Sequence, residues 1–395
     1  MMAHVLIAGA GIGGLGASLA LAQIGLKVTV LEQSDVFGEV GAGVQISPNA
    51  YKVLCDWGLT DVLKQTANFP EKLQVRSAES NKLLGQLELG SKALSRYGFP
   101  FATLHRADLH TLLLNTVRQQ PNVELHLNAK IVQISEANQQ VTVVTDAGDT
   151  FTADALIGAD GLRSRVRQHV LNDASPRATS HTAWRALLPM ADMPPELQQD
   201  QVTAWLAPDS HTIAYSVQQS KSLNIVYCAE NSEKIGQFNG MNSSQPLFLL
   251  PEQLSKSLQN AFQTATETNA WTRWDLFDRP PITSSAEMFN PTHPHTALLG
   301  DAAHPMLPYL AQGAGMALED AQVLAMSIQQ NPSDLPTALQ FYAQTRWQRN
   351  AKVQARARRN GQIFHAKPPV SWARDAAMGL LGEKIMDVPW LYGYV

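Results

Sequence analysis

The stretch HVLIAGAGIGGLGASLALAQIGLKVTVLE, residues 4–32, decides the fold of this chain. His4 to Ala8 is typical of a short buried strand, Gly13 to Gln23 of a helix rich in alanine and leucine, and Lys27 to Leu31 of a second strand. A strand–helix–strand unit with such short loops predicts a parallel sheet. The run from Val5 to Leu26 carries no charge, but its crowded glycines indicate a tight turn between two elements instead of a membrane span.

The glycines between the first strand and the helix form a GxGxxG motif. The motif glycines, with Gly13 between them, are Gly9, Gly11 and Gly14. Such glycines allow a sharp turn, close approach of a pyrophosphate, and tight packing of helix on strand, while the helix N-terminus attracts the anion. Glu32 ends the next strand, where a carboxylate can bind ribose hydroxyls. The pattern therefore predicts a dinucleotide site, and Glu32 argues against a 2′-phosphate there.

Two later segments also place glycine and aspartate at the end of a predicted buried strand. The run GADGLRSRVR, residues 158–167, follows Ala155 to Gly158 and contains Asp160. The run GDAAHP, residues 300–305, follows Ala297 to Leu299 and contains Asp301. The segment PYLAQGAGM, residues 308–316, then opens a predicted helix.

These three motifs, in this order, resemble those of the class A flavoprotein aromatic hydroxylases, and the similarity spans nearly the whole chain. The resemblance implies FAD as the cofactor. It places Asp301 at the ribityl chain, Asp160 near FAD and the path of NAD(P)H, and Arg106 at the FAD phosphates. The residues expected beside the flavin ring are Pro308, Gly313, Ala314, Gly315 and Met316. The stretch from Gly41 to Ile46, with Gly43 and Val44, resembles the segment that covers the mobile flavin.

The resemblance also implies an activity. The subgroup most similar to this chain hydroxylates small phenolic acids of the salicylate or hydroxybenzoate type with NADH or NADPH and O2, through a flavin C4a-hydroperoxide. The chain has no second GxGxxG motif, which fits a nicotinamide cofactor that visits the flavin transiently. The 6-hydroxynicotinate enzymes of this subgroup have a histidine where this chain has Gln45, which disfavours a pyridine substrate.

His211 and Tyr215 are the predicted catalytic residues. They are four positions apart in a predicted strand, so they face the same side of a sheet. A histidine and a tyrosine with this spacing lie over the flavin in the resembling hydroxylases, where the histidine assists deprotonation of the phenol. The alternative is a pair of polar residues on a half-exposed strand. His304 is either near the flavin or engaged in helix capping and backbone bonding.

The predicted fold class is α/β, with a Rossmann-like FAD-binding domain on a parallel sheet, a mostly antiparallel substrate domain, and C-terminal helices. The expected domains are a discontinuous FAD-binding domain at 1–70, 100–175 and 284–345, a substrate domain at 71–99 and 176–283, and a helical tail at 346–395. Residues 123–133 and 140–145 are predicted to be strands of a smaller sheet. The basic stripe of the last long helix predicts a solvated face and comprises Arg346, Arg349, Lys352, Arg356 and Arg359.

Composition restricts the partners. A net charge of −4 gives no general attraction to nucleic acid or to an anionic membrane. The two cysteines, Cys55 and Cys228, lack CxxC partners, and the histidines lack ligand spacing, so we expect no disulfide and no metal site. The expected ligands are an aromatic substrate, O2 and the cofactors. We expect a cytoplasmic protein that is a monomer or a homodimer.

Three alternatives remain open at this point. The chain could be a flavin-dependent epoxidase, or a hydroxylase of a larger aromatic or hydroxypyridine compound. It could be a non-catalytic flavin-binding protein, although the complete set of motifs argues against this. It could also be an NAD-dependent dehydrogenase, which the absorbance of bound FAD would exclude.

Overall fold

The computed structural model describes residues 3–38, 42–230 and 254–393. Its strands, in chain order, are β1 (His4–Ala8), β2 (Lys27–Leu31), β3 (Gly43–Ile46), β4 (Lys72–Ser77), β5 (Leu83–Glu88), β6 (Ala102–His105), β7 (Val123–His126), β8 (Ile131–Ala137), β9 (Gln140–Thr145), β10 (Thr150–Ala153), β11 (Ala155–Gly158), β12 (Arg177–Pro189), β13 (Gln201–Ala207), β14 (Ser210–Val217), β15 (Ser222–Glu230), β16 (Thr272–Asp278) and β17 (Thr296–Leu298). Gly41 of the predicted flavin-covering stretch lies outside the described residues.

The α-helices of the same ranges are α1 (Ile12–Gln23), α2 (Pro48–Asp56), α3 (Thr60–Thr66), α4 (Ser91–Tyr97), α5 (Arg106–Arg118), α6 (Arg165–Leu171), α7 (Lys256–Glu267), α8 (Gly313–Gln330), α9 (Leu335–Phe364), α10 (Val370–Leu381), α11 (Glu383–Met386) and α12 (Pro389–Tyr392). Among these helices, none combines the length and the apolar character that crossing a bilayer would require.

The first sheet is parallel and has the strand order β17-β11-β1-β2-β7. The strand–helix–strand unit predicted from residues 4–32 is confirmed, since β1 pairs with β2 in register from His4–Lys27 to Ala8–Leu31. Helix α1 packs against α5 and α8, and its buried alanines and leucines join the strands in the largest apolar core. Parallel strands covered by helices form the predicted Rossmann-like unit.

One strand prediction needs correction. Residues 123–133 were expected to lie in the smaller sheet, but β7 joins the parallel sheet, with Val28 opposite Val123. The chain turns at Asn128, which has a positive φ of 54°, and only then enters the smaller sheet of order β10-β9-β8. The turn is held by backbone hydrogen bonds from Asn128 and Ala129 to the carbonyls of Ser34 and Glu32. One apparently continuous run therefore serves two sheets.

The second large sheet has the order β16-β12-β15-β14-β13-β4-β5 and is antiparallel except where β13 pairs with β4. The mostly antiparallel second sheet predicted from the sequence is confirmed. Helix α7 covers one face, where Phe262 packs against Trp271 and Tyr227 in a separate apolar core. We propose that this sheet, with its strands from residues 72–88 and 177–278, is the substrate domain.

Helices follow the second sheet, as predicted, but the expected boundary at 345/346 falls inside the continuous helix α9. The interpretation of its basic stripe as a solvated face is wrong at the start of the stripe. Arg346 is completely buried and Arg349 is largely so, and both pair with Glu319 of α8. Lys352 and Arg359 are exposed as expected. The stripe begins as an internal charge network, because α8 offers carboxylates that the spacing in α9 does not reveal.

Candidate active site

A cleft of about 280 Å³ lies at the carboxyl ends of the parallel strands. This edge is where open parallel sheets bind nucleotides. The loops after β1, β2, β11 and β17 all contribute to it. The predicted cofactor-binding residues that line this cleft are Gly9, Gly11, Gly13, Glu32, Arg106, Asp160, Asp301, Gly313 and Ala314.

Two glycines, Gly9 in the turn after β1 and Gly14 in α1, have no room for a side chain. Gly9 has a φ of +95°, and a Cβ there would lie 2.6 Å from the Ala159 carbonyl oxygen. A Cβ on Gly14 would lie 1.9 Å from the carbonyl oxygen of Gly9. The first contact brings the loops after β1 and β11 together, and the second presses α1 onto the turn. Gly14 therefore acts through packing and does not line the cleft.

Two helices begin at the cleft without side-chain caps. The N-cap of α1 is Gly11, which has no side chain, and the side chain of Gln312 at the N-cap of α8 accepts no hydrogen bond from its helix. Gly11 and Ile12 line the cleft at one end, and Gly313 and Ala314 line it at the other. The N–H groups and dipole of a helix start favour anionic oxygens. The cleft thus offers an anion site at each of these two places, which fits a dinucleotide cofactor.

Glu32 is held in place by the loops around it. Its Oε2 accepts a hydrogen bond of 2.8 Å from the Ala10 N–H, and its Oε1 accepts one of 2.9 Å from the Ser34 N–H. The carboxylate therefore both lines the cleft and fixes the glycine-rich turn. A carboxylate at the end of the second strand is placed to accept ribose hydroxyls. These features together fit the adenosine half of FAD.

Asp160 lines the cleft but also holds the start of α6. Its Oδ1 accepts from Ser164 Oγ at 2.5 Å, and its Oδ2 accepts from the Arg165 N–H at 2.7 Å and the Val166 N–H at 3.2 Å. Burial raises the pKa of Asp160, and these hydrogen bonds oppose that rise. Asp160 is thus a structural residue of the turn, whatever it contacts in the cofactor.

A second cavity of about 240 Å³ adjoins the cleft. Four residues line both spaces and so mark the passage between them: Arg106, Asp301, Gly313 and Ala314. Gly43 and Val44 of β3 line this cavity. They lie close to Arg106 because β3 pairs with β6, the strand that ends directly before Arg106. Pro308 also lines this cavity. The residues expected around the flavin therefore lie where the two cavities meet.

His211, Ile213 and Tyr215 line the second cavity from one face of β14, as their alternation predicts. The Tyr215 ring lies against Gly43, where an added Cβ would come within 2.5 Å of it. The remaining wall is mostly apolar and includes Val44, Val226, Leu276 and Met306. An apolar pocket with a few polar groups is the usual form of a small-molecule site.

Three of the side chains that line this cavity are held neutral by burial, whereas Arg106, Arg185 and Asp301 bring charged groups to the same lining. Burial lowers the pKa of His211 well below its usual value, and the neighbouring His365 and His181 lower it further. Burial raises the pKa of Tyr215 far above its usual value. Burial also raises the pKa of the Cys228 thiol to about 12. At neutral pH the cavity therefore presents an uncharged imidazole, an un-ionised phenol and a thiol.

Gly315 and Met316 were predicted beside the flavin, but they line neither cavity among the described residues. Gly315 faces Gln312 and Ala50, and Met316 is completely buried next to Arg346. The helical period explains this, since Gly313, Ala314 and Ala317 share the face of α8 that lines the cleft, and Gly315 and Met316 lie on another face. His304 also lies away from both cavities, with Nε2 2.5 Å from Asp320 Oδ2. It is part of a buried ion-pair network.

Sequence reasoning missed three polar residues around the second cavity. Arg185 of β12 lines it, with the guanidinium 5.3 Å from the centre of the Trp274 ring. His365 ends α9 and bonds to His211, and Glu230 ends β15 and bonds to His365. The alternation of β12 places Arg185 on the same face of the strand as Ala183 and Leu187. No such local pattern marks His365 and Glu230, which only the fold brings close to His211.

Although the histidines lack ligand spacing in the sequence, the fold brings two ligand-type residues to His293. Its Nδ1 lies 3.6 Å from Glu136 Oε1, and its ring centre lies 4.5 Å from that of His169. The same carboxylate oxygen accepts a 2.6 Å hydrogen bond from Thr296 Oγ1. The protein thus already engages this carboxylate, and the expected lack of a metal stays a prediction.

The dinucleotide cleft and the adjoining ring-sized pocket define the class of this protein, which is an oxidoreductase that holds a flavin dinucleotide against a small substrate. A family described as the FAD binding domain matches residues 2–357. A 3-hydroxybenzoate 6-hydroxylase of Aquipseudomonas alcaligenes is 35% identical over 393 residues, covering 99% of this chain and 97% of that protein. The chain belongs to the FAD-binding-domain family.

Solved structures show the same fold. A salicylate hydroxylase in complex with its substrate is 25% identical with a TM-score of 0.79, and the match covers 100% of this chain and 96% of that one. HpxO of Klebsiella pneumoniae, complexed with FAD and uric acid, is 23% identical with a TM-score of 0.82, covering 97% and 94% of the two chains. The predicted resemblance to the class A flavoprotein hydroxylases is confirmed, and the protein is a flavin-dependent monooxygenase.

Proposed function

We propose that this enzyme hydroxylates the ring of a small phenolic acid of the hydroxybenzoate type, with FAD, NAD(P)H and O2. One observation carries the proposal: a buried histidine and an arginine share a small apolar cavity that opens onto the cofactor cleft. The arginine, Arg185, suits a carboxylate, and the apolar walls suit an aromatic ring. The neutral imidazole of His211 suits the ring hydroxyl.

His211 is the proposed base. A neutral imidazole has an acceptor nitrogen that can take the proton of a phenol, and the resulting phenolate is a far stronger nucleophile. The negative charge of a phenolate enriches the ring carbons ortho and para to its oxygen, so these are the positions to be hydroxylated. Bound FAD supplies the redox and oxygen chemistry, while the protein supplies geometry and electrostatics.

Tyr215 and the residues of the passage have proposed positioning roles. Tyr215 packs on Gly43 and orients the ring of the substrate against the flavin. Gly313 and Ala314 present the start of α8 to the flavin, Arg106 binds the phosphates of FAD, and Asp301 binds its ribityl chain. Burial of the cavity excludes water, which protects the oxygenating species from unproductive decay.

The relatives favour 3-hydroxybenzoate as the first compound to test. Position 6 of 3-hydroxybenzoate is para to the hydroxyl, in accord with the activation expected from a phenolate. Salicylate is the next candidate, because of the likeness to salicylate hydroxylase. We further propose a cytoplasmic location, which the free thiols of Cys55 and Cys228 support. The oligomeric state stays a prediction of monomer or homodimer.

A substrate screen tests the proposal. The purified holoenzyme is mixed with NADH or NADPH and a set of hydroxybenzoates and hydroxypyridines, and both cofactor oxidation and hydroxylated product are measured. We expect a hydroxybenzoate to accelerate cofactor oxidation and to appear as a dihydroxy product. Acceleration without product would indicate an effector instead of a substrate. Product from larger aromatic compounds alone would support the alternative hydroxylase.

Glu32→Ala is expected to weaken FAD binding. The variant loses a charge-assisted hydrogen bond to the ribose, worth roughly 1.5–3 kcal/mol, and also loses the two bonds that fix the glycine-rich turn. Titration of the apoprotein with FAD, followed by flavin fluorescence, measures the loss. Glu124→Ala, on the neighbouring strand β7, is the matched control and should bind FAD as the wild type does. Equal affinity in both variants would remove Glu32 from the site.

Arg185→Gln is expected to weaken binding of the ring acid while leaving FAD binding unchanged. A charge-assisted hydrogen bond to the substrate carboxylate is worth roughly 1.5–3 kcal/mol, which corresponds to about a 10- to 150-fold rise in Kd. Comparison of 3-hydroxybenzoate with 3-hydroxybenzamide isolates the charge, because the amide lacks it. We expect the variant to discriminate little between the two compounds. A preserved preference for the acid would show that Arg185 does not bind the carboxylate.

A further inference from the structure

A chain of hydrogen bonds leads away from the substrate cavity behind His211. His211 Nδ1 lies 2.7 Å from His365 Nε2, and His365 Nδ1 lies 2.8 Å from Glu230 Oε1. The three residues come from β14, from the end of α9 and from the end of β15. His365 therefore uses one ring nitrogen toward His211 and the other toward Glu230.

Only the outer end of this chain is exposed. His211 is buried, and the side chain of His365 is 1% exposed, while that of Glu230 is 27% exposed. The first residue lines the substrate cavity, and the last reaches the protein surface beside the Asp209–Lys367 ion pair. The chain thus connects the place where a phenol would lose its proton with the solvent.

The carboxylate at the outer end fixes the direction of every hydrogen bond. A carboxylate only accepts, so His365 Nδ1 must donate to Glu230. A neutral His365 then accepts at Nε2, which requires His211 to donate from Nδ1. This leaves Nε2 of a neutral His211 as an acceptor. The outer residues therefore hold His211 in the one tautomer that can serve as a base toward the cavity.

We propose that His211, His365 and Glu230 form a proton relay that carries the phenolic proton from the substrate cavity to solvent. The proposal rests on the proposed role of His211 as the base. His211 Nε2 takes the proton from the phenol as its Nδ1 proton passes to His365 Nε2. The Nδ1 proton of His365 passes to Glu230, which releases it to water. One proton leaves the phenol and one enters the solvent, and no electrons are transferred.

The surroundings of His211 explain the need for such a path. The rings of Tyr309 and Phe364 pack edge-on against its imidazole and separate it from solvent. Burial and the neighbouring histidines lower the pKa of His211, so a proton taken from the substrate is poorly retained there. Cys228, opposite His211 in the sheet, remains a protonated thiol and does not compete.

His181 belongs to the same cluster but lies beside the chain. Its ring stacks on His365 with centres 5.4 Å apart, its Nδ1 bonds to Tyr309 OH at 2.6 Å, and its Nε2 is 3.7 Å from Glu230. Burial lowers the pKa of both histidines, while the charges of Glu230 and Asp278 oppose this at His181 and those of Glu230 and Asp209 oppose it at His365. His181 therefore shares the environment of the relay without a hydrogen bond to either of its histidines.

The test compares relay variants on two substrates that differ in the acidity of the phenol. The FAD-loaded His365→Gln and Glu230→Gln variants are reduced, mixed with O2 and ring acid, and followed for product in a single turnover. With 3-hydroxybenzoate near pH 7, we expect hydroxylation about 10- to 100-fold slower than in the wild type. With a ring-fluorinated 3-hydroxybenzoate, at a pH where its hydroxyl is already ionised, the variants should match the wild type. His181→Gln should match it on both substrates.

A structural role for His365 and Glu230 would slow both substrates equally, and that result would overturn the relay. Wild-type rates in both variants with 3-hydroxybenzoate would overturn it as well. Glu230→Gln keeps the test informative, because this half-buried surface residue can be replaced with little risk to folding. Failure of the proposed function is distinguishable, since the wild type itself would then give no product from either acid, and the relay would have no proton to carry.

Discussion

His211→Ala should bind FAD and accept hydride equivalents from NAD(P)H as the wild type does, but hydroxylate a phenolic acid about 10²–10⁴-fold more slowly. The variant lacks the only imidazole that lines the substrate cavity among the described residues. Reduction of the cofactor does not require the phenolate, so it should continue while O2 is diverted to hydrogen peroxide. The decisive measurement is product formed per NAD(P)H consumed.

The pH dependence sharpens this prediction. In the wild type the pKa of His211 lies well below its usual value, so the imidazole is neutral throughout the neutral range and the rate should not fall on acidification to about pH 6.5. In His211→Ala, raising the pH should restore hydroxylation in part, because solvent then ionises the phenol. His293→Ala changes a histidine outside both cavities and should be unaffected. If His211→Ala formed as much product per NAD(P)H consumed as the wild type, His211 would have no role in the reaction.

The cofactor cleft could be predicted from the sequence because its signals are local. The glycines of the first turn, Glu32 at the next strand end, and Asp301 after β17 each follow directly from a short buried strand. Parallel strands bring such loop residues together at one edge of the sheet. Within α8, Gly315 and Met316 turn away from the cleft, and the cofactor contacts of the other residues stay predictions.

The second cavity was less predictable because its polar residues meet only through the tertiary structure. The same-face pair on β14 is a local pattern, but His365 lies 154 positions from His211 in the chain. Nothing near His365 or Glu230 in the sequence distinguishes these residues from surface polar groups. The same reason explains the basic stripe of α9, where the partners of Arg346 come from another helix.

Arg346→Met is expected to lower the free energy of unfolding by about 3–5 kcal/mol, because removal of one partner leaves buried charge uncompensated. Arg346 is completely buried and bonds to Glu319 Oε2 and Asp320 Oδ1, both at 2.7 Å. Burial alone would raise the pKa of Asp320, but the charges of His304 and Arg346 hold it far below its usual value. Urea unfolding of the holoenzyme, followed by tryptophan and flavin fluorescence, measures the change.

Arg359→Met is the matched control, since it removes an exposed arginine from the same helix and should change stability by no more than about 0.5 kcal/mol. The network also explains why the loss should reach the active site. Asp320 accepts from the Gly300 N–H at 3.2 Å and pairs with His304, so it holds both ends of the turn that presents Asp301 to the two cavities. FAD affinity should therefore fall with stability in Arg346→Met. Equal unfolding midpoints for the two variants would show that Arg346 adds no net stability to the contact between α8 and α9.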